Sequence, residues 1–440
     1  MIISKKIKSK IINFKNQFIP VLKKAIHKNN NSFKKEHNLF MLRGQITIFL
    51  ESKEKVEKFE FCHSIPISYN NQIPVLIKTR VDPKDRIINK KIEKTDDYNL
   101  NLNIKFHEMK KGQKITINIY YWVIIYNKIY FNLTEGIYKS KNLNKNNLSI
   151  WTSPTESIQS DNILIRLLAF IIKINSKRKL NLIKRISYFT CFHKPILSLL
   201  RHYLEVVPTL HNIFLTNKYW TGLSDALSFL FIGGLCGGKS NFMVALIRAN
   251  NIPSRVLITT PMYYGKNVYI DAQHTIIEFY STEHGWIPAM PGAVPYESKN
   301  FIILKIVTIT DENNSGNAFS YYGGMHPWFW ISNNNVKLGF PENLIDYGKL
   351  KGEGVPAVKG WIDQSIYIEY DLIDDLCKKL KKSWDLFVKV SNMNLAYINY
   401  EKFEKAENEI YEAILSFKKS NIEKFNKHIS EGLEKLSNFD

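Results

Sequence analysis

Cysteine is sparse in this chain: Cys62, Cys191, Cys236 and Cys377 are the only four in 440 residues, far apart and with no C-x-x-C pair. That indicates neither a disulfide framework nor a zinc site. Apolar runs are short as well, and none reaches transmembrane length. The lysine-bearing N-terminus lacks the apolar core of a secretory signal, because Phe18 to Leu22 is too brief and contains Pro20. Together these absences give the expectation of a cytoplasmic protein. Helix-turn-helix, zinc-finger and RNA-recognition motifs are missing too, so the formal net charge of +21 does not read as a nucleic-acid footprint. Much of that charge is local, since residues 1–38 hold ten lysines against one glutamate. Alanine and arginine are scarce while lysine, asparagine and isoleucine abound, the bias that an AT-rich genome produces. The basic segment from Ile2 to Ile26 suggests one surface role, a weak contact of residues 1–38 with an anionic membrane.

What is present is a chain able to build large cores, 45% hydrophobic and 13% aromatic. Its length predicts about two to three domains, and its pattern divides into five stretches. Residues 1–40 read as a basic flexible arm. Residues 41–150 read as a β-sandwich: Leu100, Leu102, Ile104 and Phe106 alternate with polar residues, a turn follows at Lys110–Gln113, and Ile115, Ile117 and Ile119 resume the alternation. Residues 151–345 form a mixed domain, helices before strands. Residues 346–364, punctuated by Gly352, Gly354, Pro356 and Gly360, read as a linker. Residues 365–440 read as a helical tail, with apolar stripes such as Leu376, Leu380, Trp384 and Phe387 at helical spacing. Ser420 and Glu423 resemble a capping box opening its last helix. Such stripes serve intramolecular packing or a coiled-coil-like dimer, and the oligomeric state stays open.

Chemistry concentrates around Cys236. The run Gly233-Gly234-Leu235-Cys236-Gly237-Gly238 precedes a stretch of good helix formers, Asn241 to Ala249. Pro253 blocks further helix, and Arg255 to Thr260 reads as a strand. His274 follows 38 residues after the cysteine in a second strand-like run. A thiol at a helix N-terminus meets unpaired N–H groups and partial positive charge, which lower its pKa toward the reactive thiolate. The glycines permit a tight turn and close approach of a substrate backbone. A neutral imidazole nearby can take the thiol proton and later protonate a leaving group. Each residue also has a plainer reading: Cys236 as an inert buried thiol, His274 as a core histidine, Trp286 as a core or cleft-wall aromatic, Arg255 as a structural cation.

Taken together, Gly-Leu-Cys-Gly, Ala-Leu-Ile-Arg-Ala, Ile-Pro-Ser-Arg-Val, His274 with Glu278, and Gly285-Trp286-Ile287-Pro288 resemble the transglutaminase-like superfamily of papain-related thiol enzymes. The resemblance spans roughly residues 150 to 300. It implies an α+β, papain/transglutaminase-like thiol domain behind the β-sandwich and ahead of the helical region. By the resemblance, Cys236 and His274 are catalytic and Gly234, Leu235 and Trp286 line the cleft. The implied reaction is acyl transfer at an amide of a protein or peptide substrate. Water as acceptor gives a peptidase or amidase, an amine gives a transglutaminase, and the resemblance leans toward water.

One position departs from the family pattern. An aspartate that orients the histidine usually follows Gly-Trp-x-Pro, and here the residue is Met290, whose thioether accepts no strong hydrogen bond. Three readings stay open. Another carboxylate orients His274, with Glu278, Glu297 or Asp311 the candidates and Glu278 the first. Or the site is a slower Cys–His dyad. Or the domain is a degenerate peptide-binding module. Glu278 shares the strand face of His274, yet four residues of strand span roughly 13 Å.

Overall fold

The computed structural model describes residues 38–126, 148–193, 225–262, 270–313, 325–339, 357–392 and 400–439, apart from positions 70, 97, 175, 177, 232, 234, 235, 273, 283, 297–299, 327, 328, 334, 368 and 369. Six strands come first: β1 (Asn38–Ser52), β2 (Phe59–Ile65), β3 (Gln72–Asp82), β4 (Ile87–Lys94), β5 (Leu100–Phe106) and β6 (Lys114–Tyr126). The period-two pattern is realised, with Leu102, Ile104 and Phe106 of β5 and Ile115, Ile117 and Ile119 of β6 all buried. The strands divide between two antiparallel sheets, β3-β6-β1 in one and β2-β5-β4 in the other. Apolar side chains of both sheets join one cluster, Ile46 and Ile117 with Phe61 and Ile104 among them.

The middle of the chain is mixed. Helices α1 (Ile163–Lys173), α2 (Lys179–Phe192) and α3 (Ala226–Phe231) lead to α4 (Cys236–Arg248). Strands β7 (Ser254–Pro261), β8 (Ile270–Ala272), β9 (His274–Ser281), β10 (Gly285–Ala289) and β11 (Phe301–Ile306) follow. Four of these make an antiparallel sheet in the order β10-β9-β7-β11. Every side chain of α4 from Asn241 to Arg248 is buried, because the helix lies on β7 and β9 while α1, α2 and α3 cover it. Its last residue, Arg248, forms a two-pronged pair with the fully buried Glu312, at 2.8 Å on each prong. Glu312 belongs to the short helix α5 (Ile309–Asn313) and also accepts from Thr155 Oγ1 at 3.0 Å. Arg248 Nη1 donates to the Ser153 carbonyl as well, so this pair fastens the 153–158 lead-in to the end of α4.

The remaining elements are β12 (Met325–His326), β13 (Phe329–Ile331), β14 (Val336–Gly339), β15 (Ala357–Tyr367), α6 (Tyr370–Asn392), α7 (Tyr400–Lys418) and α8 (Ile422–Ser437). Three sequence expectations need correction here. Residues 346–364 are not all linker: β15 begins at Ala357 and pairs with β1 along most of its length. The glycine that suggested a loop is required in a strand, since a Cβ on Gly360 would lie 2.1 Å from the Pro261 carbonyl oxygen. The boundaries at 40, 150 and 345 also blur, because β1 starts at Asn38, β13 extends the sheet of β2, and β14 pairs with β1. Finally, α8 is capped by Asn421, whose side chain accepts from Lys424 N at 2.9 Å, and not by Ser420. Ser420 instead takes a left-handed turn with φ of 58°. The tail stripes are used internally: α6, α7 and α8 pack together and onto β3 and β4, burying Leu380, Trp384, Ile410, Phe417 and Ile429.

Candidate active site

Helix α4 opens on Cys236 after Gly233, whose φ of 90° is open to glycine at no steric cost. Gly234 and Leu235, expected in the cleft, lie outside the described residues. The first turn of α4 is sewn to β9: Ser240 Oγ contacts the carbonyl and the Oγ1 of Thr275, each at 3.2 Å. On the other side, Thr259 Oγ1 of β7 donates to the His274 carbonyl at 2.9 Å, in register with the Thr259–His274 pairing. The backbone of His274 and Thr275 is thereby fixed against both the helix and the neighbouring strand.

This arrangement brings Cys236 and His274 together. Both are half-buried, and the thiol is hydrogen-bonded to the imidazole and to Thr275. Burial pushes the Cys236 pKa up, but the hydrogen bond and charge of His274, with the Thr275 bonds added, pull it from an ordinary 9.0 down to about 7. The contrast with Cys62 is sharp: burial, only partly offset by a bond from Asn101, pushes that thiol up to about 12. Thr275 was not anticipated from the sequence. Strict strand alternation would place it on the face opposite His274, and its role emerges only because the start of α4 meets the very end of β9.

Glu278 is placed differently. It stands opposite Arg255 in the β7–β9 register, fully buried, and its Oε1 accepts from Arg255 Nε at 2.6 Å and from the Tyr69 hydroxyl at 2.9 Å. Burial raises its pKa, against the lowering by Arg255 and Tyr69. The Arg255 guanidinium in turn lies 4.1 Å from the Trp286 ring centroid, 4.9 Å from Trp151, 5.1 Å from Tyr98 and 5.4 Å from Tyr69. Trp286 is thus half-buried as one wall of an aromatic cage around a paired cation. That cage joins three parts of the chain: Tyr69 and Tyr98 from the β1–β6 region, Trp151 from the lead-in, and Arg255, Glu278 and Trp286 from the β7–β10 strands.

Of the other candidate orienting groups, Asp311 is engaged by Lys305 at 3.0 Å and by the Thr308 N–H at 2.9 Å, and Glu297 lies outside the described residues. The Met290 side chain packs on an apolar cluster that includes Leu257 and Ile276. Its carbonyl accepts from Ser187 Oγ at 2.8 Å, which ties this turn to α2. Away from the site, Glu409, His428 and Glu431 converge on α7 and α8, where Lys435 already pairs with Glu409. A cavity of about 340 Å³ lies elsewhere again, between β3–β5 and the C-terminal helices.

A thiol at the first turn of a buried helix, bonded to a histidine that opens an antiparallel strand, defines a Cys–His site on an α+β fold with strands ahead of it and helices behind. Residues 200–291, the segment that carries both residues, match the family model of the transglutaminase-like superfamily. Among solved structures, the chain is similar to one from Cytophaga hutchinsonii provisionally described as a cysteine protease, at 13% identity and a TM-score of 0.45, over 75% of this chain and 100% of that one. It is also similar to a structure from Parabacteroides distasonis provisionally described as a protease, at 12% identity and a TM-score of 0.22, over 60% of this chain and 45% of that one. No curated protein gives a significant match.

Proposed function

We propose that this protein is a thiol enzyme that transfers acyl groups from amides of proteins or peptides, with Cys236 as nucleophile and His274 as acid and base. The observation that carries the reading is the contact of the Cys236 thiol with His274 and Thr275, which holds its pKa down at about 7 against burial. At neutral pH about half of such a thiol is ionised. The Cys236 sulfur attacks the amide carbonyl, and His274 holds the thiol proton. That proton passes to the amide nitrogen as the C–N bond breaks, leaving a thioester and a free amine. His274 then deprotonates water or an amine, which displaces the sulfur and returns its proton. The backbone N–H of Cys236, in the first turn of its helix, would donate to the oxyanion. Water is the favoured acceptor, making the protein a peptidase or amidase. This chemistry calls for no metal and no organic cofactor.

The test is hydrolysis of a denatured protein substrate, followed by mass spectrometry for new N-termini, with an added primary amine to compete for the thioester. Cys236→Ala and His274→Ala should each abolish turnover. A second reading has one observation in its favour, the apolar packing of Met290 where a histidine-orienting carboxylate is usual. On that reading the cleft binds extended peptides without cleaving them. Equal peptide binding by the wild type and Cys236→Ala, with turnover by neither, would select it.

A further inference from the structure

Helix α1 carries its apolar residues on the wrong side for a core. Ile165, Ala169 and Ile172 are buried against the domain, as its packing on α2 and α4 requires. Yet Ile163 is 78% exposed, Phe170 64%, Leu167 54% and the C-capping Ile174 43%. At about 100° per residue these four fall within an arc of roughly 60°, a continuous stripe facing away from the protein. The exposed Arg166 and Lys173 lie along one margin of that stripe. Helix α1 and the stretch after it are cationic without relief: from Ile163 to Phe192 there are seven lysines and arginines and no acidic residue. The helix is held in place by its packing and by the Asn162 side chain, which accepts from Leu164 N at 3.0 Å.

We propose that α1 is a membrane-surface anchor, its outer stripe entering the acyl boundary of an anionic leaflet while Arg166 and Lys173 meet the phosphates. The occupant follows from shape and charge. Protein interfaces interleave apolar contacts with hydrogen bonds on complementary surfaces. The α1 stripe is a convex ridge of aliphatic and aromatic groups with no hydrogen-bonding side chain along it, which suits a fluid hydrocarbon that needs no matching groove. The flanking cations suit a surface of phosphate and serine headgroups. Among the described residues no helix is long and apolar enough to cross a membrane, so the contact is of the lying-on kind. This inference stands whether or not Cys236 turns over a substrate. Because α1 packs directly on α4, it would hold the thiol site next to the lipid surface.

The experiment is co-sedimentation of the full chain with phosphatidylcholine vesicles, with and without phosphatidylserine, at low and high salt. The wild type should bind the serine-containing vesicles and weaken as salt rises. Leu167→Ser with Phe170→Ser should reduce partitioning by about tenfold or more without lowering the melting temperature, because both side chains are exposed. Arg166→Gln with Lys173→Gln should cost about fivefold per charge, on anionic vesicles only. Wild-type protein that ignores vesicles overturns the proposal. So does binding unchanged in the Leu167/Phe170 variant, or binding lost only when residues 1–37 are deleted. An oligomer that the Leu167/Phe170 variant dissociates, with no vesicle binding, would overturn it in favour of a second copy of the chain on this face.

Discussion

The alkylation rate of Cys236 as a function of pH tests the site at its base. A thiol of pKa 9.0 is about 1% ionised at pH 7, whereas one of about 7 is half ionised, a gain of roughly fiftyfold in thiolate. Lower basicity costs intrinsic nucleophilicity, with a Brønsted slope of about 0.4–0.5, or about six- to tenfold over two pKa units. The net advantage at pH 7 is therefore only about five- to eightfold, and the more telling quantity is the inflection of the profile. Iodoacetamide labelling read by mass spectrometry should rise with an inflection near pH 7 at Cys236 and stay negligible through pH 9 at Cys62.

Removing the imidazole isolates its contribution. In His274→Ala the raising by burial persists and the Thr275 bonds oppose it alone, so the inflection should move up, toward the ordinary thiol value. His274→Gln, which keeps a hydrogen-bonding group but not the charge, should fall between. A wild-type inflection near 9, or one near 7 that survives His274→Ala, would refute the reasoning and remove the main support for a nucleophilic role.

Other outcomes follow from the same geometry. Glu278→Gln leaves Arg255 charged inside its cage and should cost about 3–5 kcal/mol in urea unfolding, while the Cys236 inflection stays near pH 7; a displaced inflection would make Glu278 the orienting group after all. Arg248→Ala should cost a similar amount by stranding Glu312. Gly360→Val drives a side chain into the Pro261 carbonyl and should destabilise by about 1–3 kcal/mol or more, seen as a lower melting temperature. Burial holds both His63 and His193 down at a pKa of about 4 from 6.5. The unfolded chain then binds more protons between pH 6.5 and 4, so stability should drop as pH is lowered through that window, by about 3 kcal/mol per histidine. Urea midpoints from pH 7 to 4 measure this, and His63→Phe should flatten the slope.

The sequence was most legible where chemistry and local pattern coincide. Cys236 at a helix start and His274 at the head of a strand could be paired because glycines, a helix-forming run, Pro253 and a β-rich run succeed one another over about forty residues. The alternation in β5 and β6 and the stripes of α6 to α8 were legible for the same reason, since burial of one face imposes a period. What stayed hidden depends on long-range pairing. Nothing local marks residues 357–367 as a strand, because its partner β1 is more than three hundred residues away and Gly360 is there to clear Pro261. Nor does Tyr69 announce that it will meet Arg255 and Glu278 across 186 and 209 positions.

Those hidden contacts bear on how the site is held. Where a histidine-orienting carboxylate is usual, the chain places Met290 on an apolar cluster, and Glu278, four residues along the strand from His274, is fastened to Arg255. The position of His274 is fixed through its backbone: Thr259 holds its carbonyl, Ser240 holds the residue after it, and the β7–β9 register is locked by the Arg255–Glu278 pair four residues along. A proton moved from Cys236 to His274 creates a thiolate and an imidazolium in contact, each stabilising the other where water is partly excluded. A remote carboxylate would add to that pair without creating it. Met290→Asp therefore puts a charge against Leu257 and Ile276, and should lower stability by about 1–3 kcal/mol without moving the Cys236 inflection below pH 7. A marked downward shift in that variant would mean that orientation by a carboxylate is what this site lacks.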